Sequence, residues 1–179
     1  MNHLGAPLEQ RHPTNRLARL IDPSAPRAVV LVRIAVGVIF ASEGIQKFLY
    51  AAAQGAGRFA KIGIPAPEIM GPFVGVIEIV FGLLVLAGLL TRIAAFPLVI
   101  NMLVAIASTK VPIVLGHGYW MFAHTFAPKA GFWSFLHESR TDLSMLLGSG
   151  FLLVVGAGPW SLDSILQRRI ERSRAEAQP

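Results

Sequence analysis

The sequence predicts an all-α membrane protein: a four-transmembrane-helix bundle with both termini on the inner side of the membrane. Three observations predict it. The chain of 179 residues is 54% hydrophobic and 15% charged, with a mean hydropathy of +0.58, which leaves too little polar surface for a soluble domain of this length. Its apolar residues gather into spans at about 28–50, 69–90, 93–115 and 143–160. At roughly 1.5 Å per residue each is long enough to cross a hydrocarbon core about 30 Å thick. Finally, Arg11, Arg16, Arg19 and Arg27 precede the first span, while Arg168, Arg169, Arg172 and Arg174 follow the fourth. The positive-inside rule then puts both ends in the cytoplasm.

The same residues exclude other classes. The formal charge of +6 sits beside membrane spans, so it reads as topology and anionic-lipid contact rather than nucleic-acid binding. No cysteine is present, which removes disulfides, thiol redox chemistry, cysteine-ligated iron–sulfur clusters and covalently attached haem. No Gly-rich phosphate loop, nucleophile elbow or zincin motif occurs. No metal site is expected either: His117 and His124 have no Asp or Glu between them.

Along the chain, residues 1–26 form a polar, Pro-containing cytoplasmic tail in which Leu17, Leu20 and Ile21 can make one amphipathic turn on the membrane surface. Residues 27–165 form the membrane domain, and 166–179 a basic tail. The first span lacks the short apolar core and small-residue cleavage site of a signal peptide, so it stays as an anchor. The next loop holds Gly55, Gly57, Gly63, Pro65 and Pro67; it predicts a short helix around Arg58–Ile62 followed by an extended Ile64–Pro67 segment. Spans two and three are joined at Leu90-Thr91-Arg92, which forces a tight antiparallel hairpin. Gly71 and Gly75, with Gly82 and Gly88, invite close helix packing.

The segment 111–137 between the third and fourth spans holds Tyr119, Trp120, Trp133, His117 and His124 among further aromatics. It is too aromatic for a solvated loop and reads as a cap in the outer interface. After the fourth span, Ser161 is a candidate N-cap with Asp163 in the first turn. Leu162, Ile165, Leu166 and Ile170 against Arg168, Arg169 and Arg172 then give a basic amphipathic helix on the cytoplasmic surface.

The chemistry lies in the charges that interrupt the spans. A charge in hydrocarbon costs roughly 2.5–3.5 kcal/mol even on lenient insertion scales, so these groups are expected to face one another. Glu43, Gln46 and Lys47 share a helix face, with Glu43–Lys47 spaced as a helical ion pair. Glu78, Asn101, Lys110, Arg140 and Asp142 complete a polar cluster in the outer half of the bundle, with Ser108 and Thr109 beside it. Arg33 is the exception, close enough to the inner surface to snorkel. Two acids and two bases, Glu43, Glu78, Lys47 and Lys110, also balance as structural glue. Buried ion pairs stabilise poorly compared with apolar packing, which favours a ligand, proton or partner role.

These residues carry a family resemblance. Arg33-x3-Gly37-x6-Gly44-x2-Lys47, Gly63-Ile-Pro65 and Glu78-x3-Gly82-Leu-Leu-x3-Gly88-x2-Thr91-Arg92 resemble the DoxX family. So do Arg140-Thr-Asp142 and Gly156-Ala-Gly158-Pro159-Trp160-Ser161-Leu162-Asp163. The resemblance implies a multi-pass protein of the inner (plasma) membrane. It spans quinone-linked oxidoreductase subunits and assembly factors, so the fold alone leaves the function open. Many members carry a histidine where this chain has Lys110.

The leading expectation is a subunit that binds a quinone or other small molecule and serves an oxidoreductase partner. Lys or Arg would hydrogen-bond the head-group carbonyls and Glu78 would handle protons. The alternatives are a non-enzymatic assembly or stress-protection factor working through helix contacts at Gly71 or Gly75, and a small proton-coupled transporter. The transporter would need to form a homo-oligomer.

Overall fold

A computed structural model describes residues 26–124 and 129–176; the surface turn expected at Leu17, Leu20 and Ile21 lies outside them. The described residues are helical: α1 (Val29–Leu49), α2 (Ala56–Ile62), α3 (Pro67–Ala87), α4 (Thr91–Ala105), a π-helical segment (Ile106–Lys110), α5 (Val111–Leu115), α6 (Phe132–Val155) and α7 (Leu162–Glu176). Three helical runs, Val29–Leu49, Pro67–Ala87 and Thr91–Leu115, are long and apolar enough to cross a membrane. The fourth long helix, α6, packs beside them but carries Glu138, Arg140 and Asp142 in its first half.

Helix ends follow local chemistry. Pro67 occupies the first turn of α3, where its missing N–H costs nothing. Gly88 ends α3 in the left-handed region, its N–H bonded to the carbonyls of Leu84 and Val85. The fourth helix departs from the apolar span at 143–160: it starts at Phe132 and stops at Val155. Hydropathy marks where apolar residues begin, but nothing between Phe132 and Asp142 breaks a helix. Gly131 and Gly156, at φ 112 and 88, set the two ends instead.

The long helices form a ring in the order α1, α3, α4, α6. The α1–α3 seam is the closest, because glycines face glycines across it. A Cβ on Gly44 would lie 2.6 Å from the Gly75 carbonyl, and one on Gly37 would lie 2.8 Å from that of Gly82. The glycines expected to mediate helix packing are therefore used inside the bundle; Gly71 meets Ala56 of α2. The apolar core, including Phe40, Val85, Leu98, Met145 and Leu152, fills one half of the ring. Outward residues such as Leu31, Phe73, Phe96 and Leu147 are exposed, as a lipid-facing belt requires.

That apolar half is closed at its end by a polar clasp. Arg33 does not snorkel: it is 3% exposed. Its guanidinium donates to the carbonyls of Val85 (3.1 Å) and Leu86 (2.8 Å) at the end of α3, and to those of Ala157 (3.1 Å) and Trp160 (2.6 Å). Asp163, also buried, accepts from the backbone N–H groups of Leu90 (2.7 Å) and Thr91 (3.2 Å), capping α4 from another helix. Ser161 is the N-cap expected for α7, its Oγ accepting the Ser164 N–H at 3.2 Å. The first turn of α7 thus turns polar residues inward, while Leu162, Ile165 and Leu166 are exposed.

Candidate functional site

The other half of the ring is hollow. A cavity of about 750 Å³ lies there, lined by all four long helices, within the roughly 300–1,000 Å³ range of small-molecule sites. On its wall Lys47 of α1 pairs with Glu78 of α3 at 2.5 Å. The second Glu78 oxygen accepts from the Asn101 amide of α4 at 2.7 Å. Lys110 pairs with Asp142 of α6 at 3.3 Å. Glu78 is buried and the other three ion-pair side chains are partly buried, and Phe40, Met102 and Met145 form the apolar floor.

The π-helical turn shapes this wall. Widening a helix over Ile106–Lys110 frees carbonyls that need donors. Thr109 donates to the Ala105 carbonyl at 2.7 Å, Ser108 to the same oxygen at 3.3 Å, and the Tyr119 hydroxyl to that of Ala107 at 2.7 Å. Tyr119 thereby anchors a lid. Tyr119 and Phe122 exchange backbone hydrogen bonds of 3.0 and 2.9 Å, and the Ala123 N–H donates to the Ile62 carbonyl at 2.8 Å. Trp120, at the tip of this turn, holds φ 52. Gly63 is the seat: at φ 93, a Cβ there would fall 2.0 Å from the Met121 carbonyl oxygen.

The polar residues expected to cluster divide into two sets. Glu43, Lys47, Glu78, Asn101, Lys110 and Asp142 line the cavity, as do Ser108 and Thr109. Gln46 does not; its amide donates to the Ser42 carbonyl at 3.3 Å. Arg140 is exposed and donates to the His137 carbonyl at 2.5 Å. The helical pair Glu43–Lys47 gives way to Lys47–Glu78, and Glu43 is left at the cavity's exposed edge.

Of the aromatic cap, Tyr119 and Trp120 belong to the lid, although Trp120 is 83% exposed. Trp133 lies on α6, 79% exposed and away from the cavity. His117 is exposed beside the Gly118 carbonyl, and His124 is half-buried, neither on the cavity wall. Arg58 of α2 and Glu138 of α6 also line the cavity but escaped sequence reasoning. Arg58 sat in an apparent outer loop, and Glu138 lay before the apolar span; only the full length of α6 brings it inward.

The sequence profile of the DoxX family matches residues 28–118. A relative, the uncharacterized membrane protein Rv3486 of Mycobacterium tuberculosis, is 50% identical over 151 residues, covering 84% of this chain and 88% of the relative. The chain belongs to the DoxX family. No solved structure matches it.

The DoxX-like motif residues sort by place. Gly37, Gly44 and Gly82 make the α1–α3 seam, and Gly63 seats the lid. Lys47 and Glu78 form the cavity ion pair. Arg33, Thr91 and Asp163 build the clasp, with Gly88 accepting the Asp163 N–H at 2.9 Å.

Proposed function

We propose that this DoxX-family protein crosses the plasma membrane four times, with both termini cytoplasmic. We further propose that it binds a quinone-class small molecule as the membrane subunit of an oxidoreductase system. The observation that carries this reading is a cavity of about 750 Å³ with two ion pairs in its wall, Lys47–Glu78 and Lys110–Asp142. Ion pairs removed from water are costly and are replaceable by apolar packing. Keeping them at the edge of an open volume suits binding better than stability. Lys47, Lys110 and Asn101 supply N–H donors for carbonyl oxygens, and Glu78 and Asp142 supply carboxylates that exchange protons as a quinone is reduced to its quinol. The electrons come from the partner subunit.

The test is titration of the purified protein in lipid nanodiscs with ubiquinone and menaquinone analogues. Saturable binding is expected, weakened at least about tenfold, or roughly 1.4 kcal/mol, by Glu78→Gln and by Lys47→Met. Absence of binding, or binding by both variants as tight as by the unsubstituted chain, overturns the proposal.

A further inference from the structure

The cavity is covered on most sides. The lid turn and α2 lie over it, Phe40, Met102 and Met145 close its floor, and α3 packs against both α1 and α4. The exception is the seam between α1 and α6, the thinnest of the ring. These helices meet at Gly148, where a Cβ would lie 2.7 Å from Val36, in the apolar half. Beyond that contact α1 turns Ile39 and Glu43, and α6 turns Thr141 and Asp142, to the cavity. Glu43 and Thr141 are both exposed as well as cavity-lining. The short helix α2 packs chiefly on α3.

The wall therefore has a slot. The outward faces of the two helices carry exposed apolar residues, Val38 and Ile45 on α1 and Leu147 on α6. An opening that leads from hydrocarbon to a polar pocket suits one chemistry, an amphiphile dissolved in the bilayer. Such a molecule slides its head group in sideways and never sheds lipid from its tail, so no apolar surface is exposed to water on the way. We infer that the ligand enters laterally between α1 and α6, with its polar head at Lys47–Glu78 and a long hydrocarbon tail trailing through the slot at Glu43 and Thr141. This rests on the reading of the cavity as a small-molecule site.

The chain lacks cysteine, so a single introduced thiol can be labelled cleanly. Thr141→Cys and, as control, Leu147→Cys are each modified with a bulky maleimide in nanodiscs. Binding rates are then compared for a long-tailed quinone and a tail-less benzoquinone. The label at position 141 is expected to slow the tailed ligand tenfold or more while slowing the tail-less one far less; the label at 147 should change neither. Equal rates for the tailed ligand in the two labelled variants overturn the slot. Equal loss of both ligands on labelling position 141 overturns the tail route, since the label then merely fills the pocket. Failure of the unlabelled wild-type chain to bind either quinone removes the small-molecule reading itself, and the slot with it.

Discussion

Glu78 takes hydrogen bonds from two other helices, Lys47 on α1 and Asn101 on α4, so its neighbours are not interchangeable. Lys47→Met would leave the buried Glu78 carboxylate with the Asn101 amide but without its counter-charge, and should cost about 3–5 kcal/mol. Adding Glu78→Leu to that variant should recover much of the loss, because it removes the orphaned charge. Thermal unfolding of the single and double variants in detergent measures this directly, and a double variant no more stable than Lys47→Met would contradict it. The bilayer's intolerance of charge made these residues visible in the sequence. Their pairing was less visible. Local spacing favoured Glu43 for Lys47, yet the true partner lies 31 residues away, where only packing of α1 on α3 brings it. Arg140 shows the complementary error. It sits two positions before Asp142, and such neighbours point to different sides of a helix, so one reaches the cavity and the other faces outward.

At the scale of elements, glycines divide by what surrounds them. Gly44 has the Gly75 carbonyl where its side chain would be, whereas Gly150 of α6 has nothing within 4 Å. Gly44→Ala should push α1 off α3 and lower the thermal midpoint. Gly150→Ala should leave it unchanged or raise it slightly, by up to about 1 kcal/mol of helix propensity. Parallel melting curves of the two variants decide the matter; similar losses would mean that the seam tolerates separation. The hairpin at Leu90–Arg92 was legible from its lack of loop, and the start of α7 from its Ser-x-Asp pattern. The π-helical turn was not. Ile106-Ala-Ser-Thr-Lys110 reads as ordinary helix, and the Tyr119 hydroxyl that satisfies the Ala107 carbonyl there comes from the lid, 12 residues on. The start of α6 was missed because apolar content and helix length are different signals.

The whole molecule divides into a packed half and a hollow half. The core cluster holds one end, where Arg33 and Asp163 clasp the helix ends. The cavity and its lid occupy the other. If the lid end faces outward, an impermeant maleimide added to intact cells should label Trp120→Cys and spare Arg172→Cys, with inverted vesicles giving the reverse. The opposite pattern would turn the protein over in the membrane. Composition alone revealed that the chain lives in lipid, and the crowding of charges toward one end hinted at the division. The clasp was hidden, because Arg33 looked like a residue escaping to water and Asp163 like an ordinary first-turn acid. The clasp also bears on biosynthesis. Asp163 lies 73 residues after Leu90, so the ribosome delivers the α3–α4 turn well before the group that satisfies its backbone N–H groups. Arg33 waits on Ala157 and Trp160 in the same way. The α3–α4 hairpin is thus made unfinished, and the stretch from Ala157 to Asp163, translated after α6, completes helices made earlier.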